Sequence, residues 1–172
     1  LIRNGFDYSR KIQDVLTHLD RNDLNVSEIV DFYLNAKVIP KVFPETYRVL
    51  SSLQKSYSLG LITNGKTWEQ KIKVTGAGLK KYFDVIEYSE EKPKPNPDSY
   101  INCLKKFNKS PENAIFVGND PVTDFVGARK LGITTVRILQ GLKKNIVAEK
   151  DFDADFNFNN LNEFYNGFTV NR

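Results

Sequence analysis

The apolar residues of this chain follow two different patterns, one before and one after about residue 40. Before it, they recur at helical spacing in two runs, which predicts a helix over residues 6–20 and a second helix after a cap at Asn25 or Ser27. After it, short apolar runs of strand length alternate with helical runs. This alternation predicts an α/β protein in which a parallel sheet is covered by helices on both faces.

The predicted strands of the second part are residues 58–63, 83–88, 114–117 and 134–139, with a weak last strand at 154–158. The predicted helices are residues 44–55, 67–74, 97–107, 122–131 (closed by Gly132) and 161–165. In the first of these helices, Tyr47, Leu50 and Leu53 are predicted to be buried. The change of pattern divides the chain into residues 1–37 and 38–172.

Three polar segments follow predicted strands. They are Thr63-Asn64-Gly65, the stretch Lys94-Pro95-Asn96-Pro97-Asp98, and Gly118-Asn119-Asp120 with Asp124. Because parallel α/β sheets bind ligands at the carboxyl ends of their strands, we expect the three segments to converge at one edge of the sheet.

Each segment has a functional and a purely structural interpretation. Thr63 with the backbone of Asn64 and Gly65 could hold an anion, or the three residues could form a strand-to-helix turn. Lys94 lies between prolines that stiffen its loop, which suits an ammonium directed at a phosphate. A solvated loop lysine is the alternative, and Lys92 is a rival for the role.

The third segment offers oxygen ligands. Asp120 and Asp124 have a same-face helical spacing of four, and Asn119 adds an amide oxygen. Such donors suit Mg²⁺, which keeps most of its waters and needs few carboxylates. Acids at a helix N-terminus also cap the helix and compensate its dipole, so capping is the alternative.

Composition narrows the function classes. The net charge of +4 is spread over scattered lysines, and the pairs Lys80-Lys81, Lys105-Lys106 and Lys143-Lys144 are interpreted as solvated faces, so nucleic-acid binding is not indicated. There is no membrane-length apolar run and no signal peptide at the start of the sequence, so we expect a cytoplasmic protein. The single cysteine, Cys103, excludes an internal disulfide and is predicted to pack rather than react.

Taken together, the three segments resemble motifs two, three and four of the haloacid dehalogenase-like (HAD) superfamily, in its branch of magnesium-dependent phosphatases with a small helical cap. The similarity runs from about Val42 to Tyr165, and the 26 positions from Lys94 to Asp120 match the common spacing (120 − 94 = 26). Residues 1–37 resemble the second half of the cap.

The resemblance implies roles for the site residues. Thr63, with help from the Asn64 backbone and Gly65, would bind the transferring phosphoryl group, and Lys94 would neutralise it and hold the nucleophile. Asn119 or Asp120, together with Asp124, would position Mg²⁺. Where many relatives have an aspartate directly after the glycine, this chain has Asn119, which can coordinate but brings no charge.

The family's nucleophile and its acid/base lie in an Asp-x-Asp-x-Thr segment on the first strand, before the cap, and we find no counterpart in this sequence. Residues 151–155 have a similar Asp-x-Asp sequence, but no apolar strand precedes them, so we reject them as the nucleophile segment. That first strand is the centre of the family's sheet. The sequence also contains no methionine. We therefore expect the working protein to include about 50 or more upstream residues, a modest extension for a domain.

The leading hypothesis is a HAD-like hydrolase that removes phosphate from a small phosphorylated metabolite through an aspartyl-phosphate intermediate, with Mg²⁺ as cofactor. A catalytically silent binding module and a metal-independent 2-haloacid dehalogenase are the alternatives.

Overall fold

The computed structural model of the protein describes residues 2–3, 6–36, 39–147, 149 and 152–169. The chain divides into two units, Leu1–Val38 and Ile39–Arg172. The predicted division fell at residues 37 and 38, which lie outside the described residues. In the part of the chain that is described, no helix is both long and apolar enough to cross a membrane.

The N-terminal unit consists of a short β-ladder and two helices. β1 (Ile2–Arg3) pairs antiparallel with β2 (Phe6–Asp7), and α1 (Tyr8–His18) packs against α2 (Val26–Asn35). Neither short strand was predicted, and the helix expected over residues 6–20 begins only at residue 8 because the chain is still paired as a strand before it.

The second helix begins as predicted. The side chain of Asn25 accepts a hydrogen bond from the backbone N–H of Ser27 at 3.0 Å, which identifies Asn25 as the cap. Leu16 on α1 and Val30 on α2 are buried. Val15 and Leu19, whose helical spacing helped to predict the first helix, are exposed.

The C-terminal unit alternates helices and strands as the sequence predicted. Its strands are β3 (Gly60–Asn64), β4 (Val85–Ser89), β5 (Ile115–Gly118), β6 (Thr134–Ile138) and β7 (Phe156–Phe158). Its helices are α3 (Thr46–Leu53), α4 (Thr67–Gly76), α5 (Asp98–Phe107), α6 (Val126–Lys130) and α7 (Leu161–Thr169).

All five of these strands are paired in parallel, which confirms the predicted α/β class. β3 pairs with β4, and β6 lies between β5 and β7. The described residues therefore form two parallel sheets, and within them no strand pairs with the second edge of β3 or of β5. Both of these strands carry candidate site residues at their carboxyl ends.

Two apolar clusters lie on opposite sides of β5. Phe116 packs with a cluster centred on Tyr100 and Ala128, from α5 and α6, while Val117 packs with a cluster centred on Val136 and Phe164. Successive residues of a strand point to opposite faces, so this division places helices on both faces of the strand. Ile62 on β3 packs with the same cluster as Phe116, so one apolar layer supports both sheets.

The predicted burial on α3 was partly wrong. Tyr47 is 41% exposed, and Val49 is the residue of this helix that is fully buried. The Tyr47 hydroxyl donates to the carbonyl oxygen of Ala77 at 2.9 Å, a bond made at the margin of the core. The Tyr47 side chain therefore lies beside the core, where its hydroxyl has a hydrogen-bond partner. The face of α3 that points into the core is rotated from the predicted face.

Cys103 is buried, as predicted for a packing residue. Burial, together with the charge of Glu87, raises the pKa of its thiol from 9.0 to about 11. We expect native protein at pH 8 to react with iodoacetamide about 100-fold more slowly than urea-unfolded protein, since only the thiolate reacts. Mass spectrometry of the single cysteine measures both rates, and equal rates would contradict the burial.

Candidate functional site

The first polar segment ends β3. The Thr63 hydroxyl donates to the side-chain oxygen Oε1 of Gln70 on α4 at 2.8 Å. Gly65 has φ +120°, a conformation that favours glycine, and a Cβ there would lie 2.9 Å from the Gln70 amide nitrogen. The segment is therefore a strand-to-helix turn, as one interpretation predicted, and it places the threonine hydroxyl at the carboxyl end of β3.

Asn64 fixes the backbone of Lys94. Its Oδ1 accepts from the Lys94 backbone N–H at 2.8 Å, and its Nδ2 donates to the Lys94 carbonyl oxygen at 3.1 Å. The peptide bond between Lys94 and Pro95 is cis. Two hydrogen bonds from one planar amide define both position and orientation, so the second segment is attached directly to the first.

The Lys94 ammonium lies between β3 of one sheet and β5 of the other. Its Nζ is 2.8 Å from Oδ1 of Asp124 and 3.3 Å from the carbonyl oxygen of Ile62 on β3, and it lies 5.4 Å from the centroid of the Phe116 ring on β5. The side chains of Lys94 and Asp124 are only 11% and 7% exposed. The charge pair is thus held in a largely desolvated position at the carboxyl ends of both strands.

Lys92, the rival, is placed differently. Its side chain is 64% exposed and pairs with Asp98, which is itself 42% exposed. Of the two lysines, Lys94 is the one that contacts the other candidate segments.

Asp124 organises the third segment through its second oxygen. Oδ2 accepts from the backbone N–H groups of Asn119 and Asp120, both at 2.9 Å. A Cβ at Gly118 would lie 2.6 Å from this oxygen, so the close approach requires glycine. The carboxylate therefore binds three donors at once.

This arrangement corrects the predicted helix over residues 122–131, because α6 begins only at Val126. Asp120 and Asp124 precede the helix in a turn, where the Asp124 N–H donates to the Asp120 carbonyl oxygen at 2.9 Å. The Asp124 carboxylate binds backbone N–H groups of the turn before α6. The N-cap residue of α6 is Phe125, which makes no side-chain capping hydrogen bond. The helix end at Gly132, with φ +83°, is as predicted.

Tyr100 supports Asp124 from the core. It is fully buried on α5, and its hydroxyl donates to the Asp124 carbonyl oxygen at 2.7 Å. Burial, and to a smaller extent the charge of Asp124, raises the pKa of this hydroxyl, so it stays protonated and remains a donor at neutral pH.

The side chains of Asp120 and Asn119 contact residues outside the three segments. Oδ1 of Asp120 accepts from the Val122 N–H at 3.1 Å, and Oδ2 lies 3.4 Å from Nζ of Lys143. The Asn119 amide nitrogen donates to the Gln140 carbonyl oxygen at 3.2 Å. Among the described residues, no three His, Cys, Asp or Glu side chains are grouped closely enough to hold a metal ion.

The structure thus joins Asn64, Lys94, Asp124, Asn119 and Asp120 by direct hydrogen bonds or ion pairs. Thr63 belongs to the same strand end, but its hydroxyl is bonded to a residue outside the predicted set.

Sequence reasoning missed three residues of this network. Gln70 and Tyr100 lie on helices, where no pattern distinguishes them from neighbouring polar or core residues. Lys143 could have been found, because it follows the end of β6 just as the other candidates follow their strands. It had been interpreted as part of a solvated face, and it is indeed exposed, but it also lies beside Asp120.

The rejected acidic segment at residues 151–155 has structural contacts. Asp155 accepts from the backbone N–H and the hydroxyl of Thr135 on β6, at 2.8 and 2.7 Å. Oδ1 of Asp153 lies 3.6 Å from Nη1 of the buried Arg137. Asp151 lies outside the described residues. Both described acids therefore serve the attachment of this segment to β6.

The class of protein follows from comparison with known families. The sequence profile described as "Haloacid dehalogenase-like hydrolase" matches residues 6–138. The chain therefore belongs to the haloacid dehalogenase-like hydrolase family, as its motifs indicated.

Two relatives and one solved structure illustrate this membership. The chain is 34% identical over 135 residues to a glyceraldehyde 3-phosphate phosphatase of Methanocaldococcus jannaschii, covering 76% of this chain and 58% of that protein. It is 31% identical over 119 residues to a phosphoserine phosphatase of Thermus thermophilus, covering 67% and 48%. A HAD phosphatase of Thermococcus onnurineus superimposes with a TM-score of 0.66 at 26% identity, covering 90% and 68%. The chain spans about half the length of the curated relatives that it matches.

Proposed function

We propose that this chain supplies the phosphoryl-binding and cation-binding residues of a magnesium-dependent phosphatase that acts on a small phosphorylated metabolite. The observation that carries the proposal is the position of the Lys94 ammonium. It is largely desolvated and paired with Asp124, and two hydrogen bonds from the Asn64 side chain fix the Lys94 backbone. A fixed cation at the carboxyl end of parallel strands, next to a threonine hydroxyl, is suited to neutralising a transferring phosphoryl group.

The oxygen donors around Asp120 fit a magnesium ion. Asp124 already accepts three hydrogen bonds, so Asn119 and Asp120 would provide direct ligands and Asp124 would hold them from behind. Mg²⁺ keeps several waters and needs only one or two carboxylates, which agrees with this small donor set. When bound, the ion would neutralise phosphate charge during transfer.

The chain's own residues would then act by position. Lys94 would pair with phosphate oxygens, and the Thr63 hydroxyl, oriented by Gln70, would stay close to the same group. Desolvation strengthens both interactions, and no reorganisation is needed when charge develops on the phosphoryl oxygens. Attack by a carboxylate to give an aspartyl-phosphate, followed by hydrolysis, is the reaction that this binding site would serve.

The two-helix N-terminal unit would correspond to the later part of a helical cap, which in this proposal selects the substrate. The relatives' names provide two substrates to try, glyceraldehyde 3-phosphate and phosphoserine.

Product analysis tests the reaction class. With protein that contains the nucleophilic aspartate as well as these residues, we expect inorganic phosphate to be released from one or both phosphate esters in the presence of Mg²⁺, and release to stop when EDTA removes the metal. A parallel incubation with 2-chloropropionate, monitored for chloride, tests for dehalogenation. Chloride release without metal would replace the phosphatase proposal with a dehalogenase, and a folded protein that contains the nucleophile but shows neither activity would favour a binding module.

A further inference from the structure

A second lysine lies against the proposed cation site. Nζ of Lys143 is 3.4 Å from Oδ2 of Asp120, whose side chain is 20% exposed. The other oxygen of Asp120, Oδ1, accepts from the Val122 N–H, whereas no backbone N–H among the described residues is bonded to Oδ2. The ammonium therefore lies next to the oxygen of this carboxylate that is more open to a metal ion.

The backbone that carries Lys143 is held from two sides. The Arg137 side chain, only 5% exposed, donates through Nη2 to the carbonyl oxygens of Lys143 at 3.2 Å and Ile146 at 2.7 Å. On the other side, the Asn119 amide donates to the Gln140 carbonyl oxygen. A segment fixed at both ends keeps the lysine close to Asp120, although the lysine side chain itself is long and 46% exposed.

The local charges are balanced without a metal. Lys94 and Lys143 provide two positive charges, and Asp120 and Asp124 provide two negative ones. A dication that bound Oδ2 of Asp120 would be repelled by an ammonium at this distance. The half-exposed Lys143 side chain can move into solvent, whereas the Lys94 side chain is only 11% exposed and is held by Asp124 and the Ile62 carbonyl oxygen.

We propose that Lys143 is an internal competitor for the divalent cation, an ammonium that pairs with Asp120 and must be displaced when the metal binds. This inference rests on the proposed function for the identity of the cation site. Its consequence is that the chain lowers its own metal affinity, and removing the charge of Lys143 strengthens metal binding.

Metal binding can be measured without turnover. Mn²⁺ is the probe, since the electron paramagnetic resonance signal of the free ion falls as it binds, and Mg²⁺ is then added to displace it. We expect Lys143→Gln to bind Mn²⁺ about three- to tenfold more tightly than the unmodified protein, as the loss of a partly exposed ion pair and of one repelling charge implies.

Two variants control for other effects. Lys144→Gln makes the same change in net charge one residue further on, at an exposed lysine that pairs with no carboxylate in the described part of the chain, and it should leave the affinity unchanged. Lys143→Arg keeps the positive charge and should also bind as the unmodified protein does. If substitution merely disturbed the loop, metal binding would not become tighter in Lys143→Gln while staying unchanged in Lys144→Gln and Lys143→Arg.

Equal affinities for Lys143→Gln and Lys144→Gln, weaker binding by Lys143→Gln, or no binding by any of the proteins would overturn the inference. Failure of the proposed function gives a different result. Phosphate release would then be absent while Lys143→Gln still bound Mn²⁺ more tightly than its control.

Discussion

Lys94→Met is expected to lower Mg²⁺-dependent phosphatase turnover by about 10²- to 10³-fold, the effect of removing one fixed charge-stabilising group from an active site. The same change leaves the Asp124 carboxylate, 7% exposed, without its counter-ion. Breaking a buried pair by removing one partner typically costs about 3 kcal/mol or more of unfolding free energy. Urea unfolding followed by circular dichroism measures the second effect, and initial rates with a phosphate ester measure the first.

Lys92→Met is the matched control. It removes a lysine two positions earlier in the same loop, from a pair whose side chains are 64% and 42% exposed. Exposed pairs contribute about 0.2–1 kcal/mol, so both turnover and stability should stay close to those of the unmodified protein. If Lys92→Met proved the more damaging of the two, the assignment of the phosphoryl-binding role to Lys94 would be wrong.

Asp124→Asn is expected to cause the second large loss. The asparagine amide would place either an N–H group against the backbone N–H groups of Asn119 and Asp120, or its nitrogen against the Lys94 ammonium. Because one donor is then left without an acceptor in a buried position, we expect a loss of about 3 kcal/mol in unfolding free energy. Since Asp124 holds the proposed ligands, Mn²⁺ affinity should fall by about 10- to 100-fold.

Asp98→Asn provides the comparison, because it neutralises an aspartate in an exposed ion pair of the same unit. Its unfolding free energy and its Mn²⁺ affinity should both match those of the unmodified protein within error. A metal affinity that is unchanged in Asp124→Asn would show that Asp124 does not support the cation site.

The order of elements was predictable because it depends on periodicity along the chain. A strand such as residues 115–118 is an apolar run between turns, and a helix such as α5 combines an apolar stripe with a proline–aspartate start. The exact face of α3 was not predictable. Whether Tyr47 or Val49 points inward depends on where the Tyr47 hydroxyl finds a partner, and Ala77 is distant in sequence.

The start of α6 shows a second limit. Residues 122–125 have helical spacing, but the Asp124 carboxylate binds the N–H groups of Asn119 and Asp120 and holds a turn there instead. Local side-chain bonds to backbone compete with helix formation, and the sequence pattern does not reveal which one prevails.

The location of the candidate site was predictable, because the carboxyl ends of parallel strands meet at one edge of the sheet. Lys94 and Asp124 were placed at the same edge by topology, and the structure joins them in one ion pair. What the sequence left open was the choice between Lys92 and Lys94. This choice depends on the two hydrogen bonds between the Asn64 side chain and the Lys94 backbone. Gln70 was equally hidden, since its contact with Thr63 depends on the angle at which α4 leaves the turn.

The most direct test of the proposed site is to locate a bound phosphate analogue. Crystals of the protein grown with tungstate and Mg²⁺ would reveal the tungsten atom by its anomalous scattering. The phosphatase proposal predicts one strong peak at the carboxyl ends of β3 and β5, with tungstate oxygens within hydrogen-bond distance of Lys94 Nζ and the Thr63 hydroxyl. Tungstate bound elsewhere, with the Lys94–Asp124 pair undisturbed and free of ligand, would contradict it.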